Sequence, residues 1–264
     1  MKSRLLALLL LPALSLSLPL SPSTMAADPV EQFTYRLIGK IPQSRQDFVQ
    51  GLEIRDGKLY KSTGQYGKSR LQVFDLASGK LMQVRRLPRK LFGEGITVLG
   101  EQVIQLSWRS GRAMVYQRED LSLQTEFSIP GEGWGLTNDG KRLIYSDGSA
   151  LLHFVSPGDW RQIDSLQVQY EGSPVPYLNE LEWTEDFLLA NVWGKDLIYM
   201  IDLGSGAVIG ELDLAGLLPR SERRADTGVL NGIARDPDTG KLWVTGKNWP
   251  WIYQIELGHP QQKQ

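Results

Sequence analysis

The residue in this sequence best placed to move a proton is Glu94, which stands in Phe92-Gly93-Glu94-Gly95 with a glycine on either side. Glycine lets the backbone come close to its surroundings and leaves a neighbouring carboxylate little local cover. A carboxylate walled by tryptophans such as Trp108 and Trp134 is stripped of water, which raises its pKa towards values useful in general acid–base chemistry. Lys247 is a cation able to balance that charge. Gln50, Trp134, Asn179 and Asn231 occupy the positions equivalent to Glu94 in four further segments of similar sequence. Each type also has a plainer use. Asn and Gln at such positions hydrogen-bond neighbouring loops, and tryptophans pack sheets, so the eight of this chain cannot all line one pocket.

Other chemistries fail on residue type or spacing. Gly64-Gln-Tyr-Gly67-Lys68-Ser69 has two residues between its glycines, where a phosphate-cradling loop needs four. There is no Cys, and the two histidines, His153 and His259, are too few for a His-rich zinc site. Asp236-Pro-Asp238-Thr-Gly240 reads as a hairpin turn rather than a calcium loop.

The segments that carry these residues are repeats. Gln50-Gly-Leu-Glu, Glu94-Gly-Ile-Thr, Trp134-Gly-Leu-Thr, Asn179-Glu-Leu-Glu and Asn231-Gly-Ile-Ala start 44, 40, 45 and 52 residues apart. Each is followed by a turn and a second apolar run, Lys58–Ser62, Gln102–Leu106, Arg142–Ser146, Phe187–Asn191 and Lys241–Thr245. Two more strand-like runs follow in the first four copies, while the fifth stops after Trp251–Leu257. An alternating segment, Phe33–Ile41, precedes the first copy and has no other assignment. Paired beside Trp251–Leu257 it would complete the fifth sheet and hide strand edges. Four strands per repeat of about 40–50 residues is the pattern of a β-propeller, so the expected fold is all-β, a five-bladed β-propeller with four-stranded blades, its ring closed by the N-terminal strand in the last blade. A β-sandwich does not explain the equal offsets. In a propeller the repeat starts, and the second-strand ends at Gly64, Trp108, Gly148, Trp193 and Lys247, gather around one mouth, a concave site for a small ligand. Pro219–Thr227, which lengthens the last spacing, reads as a surface insertion.

Composition narrows the classes further. The 264 residues hold 29 basic and 30 acidic side chains, a net charge of −1, which gives no reason to expect nucleic acid as a partner. Hydrophobic residues make up 41%, enough for a core, and 27 Gly and 14 Pro favour many short elements. Lys2 and Arg4 precede the uncharged run Leu5 to Leu20, and Thr24, Ala26 and Ala27 offer a cleavage site. Residues 1–27 therefore read as a cleavable signal peptide, interrupted by Pro12 and Pro19 and short for a membrane anchor. Residues 28–264 read as a single domain, exported to a bacterial periplasm, monomeric, with no membrane anchor once the signal is removed.

Beyond these physical readings, the chain resembles the glutamine cyclotransferases, the plant and bacterial type of glutaminyl-peptide cyclotransferase. The matching stretches are Phe48-Val-Gln50-Gly-Leu-Glu53, Phe92-Gly-Glu94-Gly, Leu106-Ser-Trp108, Gly133-Trp-Gly-Leu-Thr137, Ser146-Asp-Gly-Ser149, Leu178-Asn-Glu-Leu-Glu182, Ala190-Asn-Val-Trp193, Leu230-Asn-Gly-Ile-Ala234 and Val244-Thr-Gly-Lys247-Asn-Trp-Pro250. Phe48-Val-Gln50 and Leu106-Ser-Trp108 depart mildly from the usual Phe-Thr-Gln and Leu-Thr-Trp. The resemblance implies conversion of N-terminal Gln of peptides or proteins to pyroglutamate with loss of ammonia, with no cofactor and no metal. It implies that Glu94 is the acid and base, and that Phe48, Gln50, Phe92, Trp108, Trp134, Asn179, Glu180, Trp193 and Lys247 line the pocket. The residues suit that chemistry: one carboxylate can carry a proton from the attacking amine to the departing nitrogen. Lys247, Gln50 and Asn179 are candidate donors to the oxyanion. Two other functions fit a propeller, a non-catalytic periplasmic scaffold and a metal-dependent lactonase. The second would need several acidic ligands at the axis, where only Glu94 and Glu180 are obvious.

Overall fold

The computed structural model describes residues 29–261; residues 1–27, read from the sequence as a cleavable signal, lie outside them. The chain is all-β, with a single 3₁₀ turn at Arg220–Glu222 among the described residues. Strand β1 (Glu31–Pro42) comes first. A four-stranded antiparallel sheet follows, made of β2 (Val49–Arg55), β3 (Lys58–Thr63), β4 (Arg70–Asp75) and β5 (Leu81–Arg86). The second sheet is β6 (Gly93–Leu99), β7 (Gln102–Ser107), β8 (Arg112–Gln117) and β9 (Leu123–Ser128). The third is β10 (Leu136–Asn138), β11 (Leu143–Ser146), β12 (Leu151–Val155) and β13 (Gln162–Gln167). A small hairpin, β14 (Gln169–Tyr170) and β15 (Ser173–Pro174), leads into β16 (Leu178–Trp183), β17 (Leu188–Val192), β18 (Leu197–Ile201) and β19 (Val208–Asp213). The last strands are β20 (Leu230–Arg235), β21 (Leu242–Gly246) and β22 (Trp251–Gln261).

Burial falls from the first strand of each sheet to the last. In β2 and β6 every residue but the final one is buried, whereas β5, β9 and β13 hold no buried residue. The apolar side chains form clusters between successive sheets: Tyr60 and Leu71 against Ile96 and Val103, then Ile104 and Leu106 against Leu136 and Tyr145. The pattern continues with Ile144 and Leu152 against Leu181 and Ala190, and with Leu189 and Ile198 against Ile233 and Tyr253. The circuit returns when Ala234 and Trp243 pack on Val49 and Leu52. Burial on this scale contributes about 25 cal/mol for each Å² of apolar surface removed from water, which suits a chain without cysteine.

Strand β1 joins the two ends of the chain. It pairs antiparallel with β22, from Tyr35 opposite Leu257 to Pro42 opposite Trp251. It also pairs in parallel with β19, Glu31 opposite Gly210. The second pairing was not suggested by the sequence, and it merges the last two sheets into one of eight strands, β16-β17-β18-β19-β1-β22-β21-β20.

The third repeat departs from its expected strand: β10 starts only at Leu136, and Trp134 lies before it. The backbone there is pressed against the next sheet, so that a Cβ on Gly135 would lie 1.9 Å from the Asn179 carbonyl oxygen. Glycine is obligatory at that approach. The insertion at Pro219–Thr227 is largely exposed yet anchored, because the Glu222 carbonyl accepts from Arg45 Nη2 at 2.8 Å and its carboxylate from the Trp251 indole.

Candidate active site

The inner strands β2, β6, β10, β16 and β20 lie side by side in a closed order, β20 returning to β2. The starts of the first four repeats, together with the ends of several second strands, converge on a cavity of about 370 Å³. It is lined by Phe48, Gln50, Phe92, Glu94, Trp108, Trp134, Tyr177, Asn179, Trp193 and Lys247. The walls are mainly aromatic. Phe92 meets Phe48 edge-on at 6.1 Å between ring centres and Trp108 at 5.4 Å. Two of the second-strand ends are glycine because they back these rings: a Cβ on Gly64 would lie 2.1 Å from the Phe92 ring, and one on Gly148 2.6 Å from Trp134. Trp193 and Tyr177, half exposed and 6.1 Å apart, form the outer lip.

Glu94 is 3% exposed. Its backbone carbonyl accepts the Ser62 hydroxyl, and its Oε1 accepts Gln50 Nε2 at 2.6 Å. The orientation of the Gln50 amide is set from its other end, where Asn231 Nδ2 donates to Gln50 Oε1 at 3.4 Å. Burial raises the Glu94 pKa well above the ordinary carboxylate range, against the opposing pull of Lys247 and the Gln50 hydrogen bond. Lys247 is held below its ordinary value by burial, with Glu94 acting in the other direction. Its ammonium lies 5.0 Å over the Phe48 ring and forms no ion pair with Glu94 within 4.0 Å. Asn179 is also buried, and its Oδ1 has no hydrogen-bond partner among the described residues. A buried acid, a buried amine and a buried amide side chain thus line an apolar slot. Such a set can accept and return a proton and can stabilise a developing negative charge.

Glu180, expected to line the same pocket, does not. Four of the repeats carry glycine at its position, and in the fourth the carboxylate fills the space between inner strands. Its oxygens accept the backbone N–H groups of Leu52 at 3.1 Å and Ile233 at 2.7 Å. Asn231 also stays outside the cavity, bonded to the Val49 carbonyl and to Gln50. Two residues escaped the sequence reading. Tyr177 stands one residue before the fourth repeat's Leu178-Asn179. Glu132, two residues before Trp134, accepts the indole N–H groups of both Trp108 and Trp134.

A second cavity, of about 330 Å³, is lined by the far ends of the same inner strands, including Glu53, Arg55, Asn138, Glu182 and Arg235. Its buried carboxylates are engaged with the protein: Glu182 with the Arg235 backbone N–H at 2.6 Å, Glu53 with Thr97 at 2.9 Å. The aromatic cavity is therefore the candidate active site.

A family model described as glutamine cyclotransferase matches residues 9–257. The chain belongs to the glutamine cyclotransferase family. Over 233 residues it is 39% identical to the glutaminyl-peptide cyclotransferase of Arabidopsis thaliana, covering 86% of this chain and 72% of that protein. The crystal structure of Myxococcus xanthus glutaminyl cyclase superposes with a TM-score of 0.81 at 30% identity, covering 88% of this chain and all of the other. Within this glutamine cyclotransferase the repeat starts that carry Gln50, Glu94, Trp134 and Asn179 are the ones that reach the cavity.

Proposed function

We propose that this protein is a glutaminyl-peptide cyclotransferase that closes an N-terminal glutamine into pyroglutamate and releases ammonia, with Glu94 as its acid and base. The observation that carries the role of Glu94 is a carboxylate of raised proton affinity, 3% exposed, at the floor of an aromatic cavity and oriented by Gln50.

The reaction needs the α-amine nitrogen to bond to the substrate's own γ-carboxamide carbon. Held folded back between Trp108, Trp134 and Phe92, the substrate's aliphatic stem brings the two together, which replaces a search over rotamers by proximity. As the new C–N bond forms, the amine loses a proton to Glu94 and the carboxamide oxygen gains negative charge. Lys247 supplies positive charge, and the Asn179 amide can donate to that oxygen. Glu94 then returns the proton to the original amide nitrogen, the C–N bond to it breaks, and ammonia leaves. Proton and charge balance with one carboxylate. The aromatic walls keep bulk water out and so favour ring closure over hydrolysis to glutamate.

The architecture that supports this reading is a five-bladed propeller. Its five inner strands, in closed order, would gather the site about one axis, with β1 completing the last blade. The reading extends to a single domain over residues 28–264, acting as a monomer in the periplasm after removal of the export signal.

The test is incubation with a Gln-initiated dipeptide, following ammonia and the mass of the product with and without a chelator. Chelator-resistant loss of one ammonia per peptide is expected. Absence of product would leave a scaffold, and chelator-sensitive ester cleavage would point to the lactonase.

A further inference from the structure

Resting on the cyclotransferase reading, we infer that Glu132 is a positioning residue of the reaction, which fixes the angle between Trp108 and Trp134 and so the width of the slot that folds the substrate back on Glu94. One of its oxygens, Oε2, accepts the Trp108 indole N–H at 2.6 Å and the Trp134 indole N–H at 2.9 Å. The other, Oε1, accepts Arg109 Nε at 3.0 Å, and the Arg109 guanidinium stacks 3.9 Å over the Trp108 ring. Trp108 is therefore held at its edge and on its face, and Trp134 at its edge by Glu132 and on its face by Gly148.

The two indoles follow different sheets, Trp108 after β7 and Trp134 before β10, and no ring contact between them is recorded. Each ring is packed by residues of its own sheet, Trp108 on Phe92 and Trp134 on Gly148, and the side chain bonded to both is Glu132. An indole N–H is a donor only, and water at this partly exposed rim could satisfy each one separately. A carboxylate shared by both removes that freedom, because two charge-assisted bonds converge on a single atom. The hold on substrate follows from geometry: effective concentration of amine and carboxamide depends on excluding extended conformers, and a wall free to swing admits them.

The experiment compares Glu132→Ala, Glu132→Gln and Arg109→Ala with the wild-type protein on a Gln-initiated dipeptide, alongside the indole N–H resonances in ¹H–¹⁵N spectra and the melting temperature. In Glu132→Ala, kcat/KM falls about tenfold or more, part of the loss appearing in kcat because the bound peptide is less often folded back. Glu132→Gln, which keeps an acceptor oxygen, recovers most of the loss, and Arg109→Ala falls between. Two indole resonances move upfield in Glu132→Ala. Unchanged resonances overturn the inference whatever the activity. So do kinetic constants within twofold of wild type in Glu132→Ala, and so does an equal loss in Ala and Gln variants that tracks a lowered melting temperature. A wild-type protein that makes no pyroglutamate instead overturns the cyclotransferase reading, and the catalytic part of this inference with it, while the resonances still report whether Glu132 holds both rings.

Discussion

Gln50 Nε2 donates to Glu94 Oε1 across 2.6 Å, tying the starts of two neighbouring inner strands at the floor of the cavity. The residues are 44 apart in sequence, and only the packing of one sheet on the next brings them together. The bond occupies one carboxylate oxygen and leaves the other without a protein partner among the described residues. A proton can therefore enter and leave on that side while the carboxylate keeps its orientation.

Replacing Glu94 by Gln preserves shape and a hydrogen-bonding oxygen but removes the basic group. Pyroglutamate formation is expected to fall about 100-fold or more, with the circular dichroism spectrum and melting temperature near those of the unchanged protein. Turnover close to normal would end the assignment of Glu94.

Lys247 lowers the proton affinity that burial raises in Glu94. Lys247→Met removes that opposition, so the pKa of Glu94 rises further and a larger share of it is protonated at any given pH. The acidic limb of the kcat profile should move to higher pH. The plateau should drop about 100-fold if Lys247 also stabilises the oxyanion. A limb that stays in place or moves to lower pH contradicts the assignment.

Glu180 should matter to stability and not to substrate affinity. Glu180→Ala leaves the N–H groups of Leu52 and Ile233 without their acceptor, at a cost of about 1–3 kcal/mol each where water cannot replace it. Chemical denaturation should register that loss, while KM for a Gln-initiated dipeptide remains near normal. A large rise in KM without destabilisation would return Glu180 to the pocket.

The buried carboxylates also set a pH dependence. Burial raises Glu53 to about 7 and moves Glu180 and Glu182 in the same direction. Unfolded, a glutamate titrates near about 4.3. Each such group favours the folded state fully below its unfolded pKa, and that contribution is lost as pH rises through the folded value. For Glu53 the window runs from about 4 to about 7. Denaturation midpoints across that range should decline in the wild-type protein and decline less in Glu53→Gln; equal slopes would refute the claim.

Gly135→Ala forces a methyl group to 1.9 Å from the Asn179 carbonyl oxygen. Neither backbone can retreat, since Ser146 Oγ both accepts from Gly135 N at 2.8 Å and donates to Asn179 O at 2.6 Å. A loss of about 3 kcal/mol or more, or failure to fold, is expected. Gly158→Ala, where the new atom meets nothing within 4 Å, should be tolerated. Comparable melting temperatures for the two variants would disprove the steric argument.

The repeats, their inner-strand starts and the glutamate between two glycines were all legible in the chain itself, because turn chemistry and strand alternation are local properties repeated at a near-constant spacing. On the same basis Gln50, Trp108, Trp134, Asn179, Trp193 and Lys247 could be placed around one mouth with Glu94 before any coordinates, the family resemblance added Phe48 and Phe92, and the structure brings all of them to one cavity. What spacing cannot convey is direction and company. Glu94 and Glu180 are both acidic residues in equivalent segments, yet one faces the cavity and the other bonds two backbone N–H groups, because in only one of these repeats does a side chain replace the glycine between inner strands. The parallel pairing of β1 with β19, the shared acceptor at Glu132 and the lip formed by Tyr177 are contacts between segments with no common motif. Burial, too, is collective: the sheets together remove water from Glu94 and Lys247, so the direction of their proton affinities belongs to the assembled fold and not to any stretch of sequence.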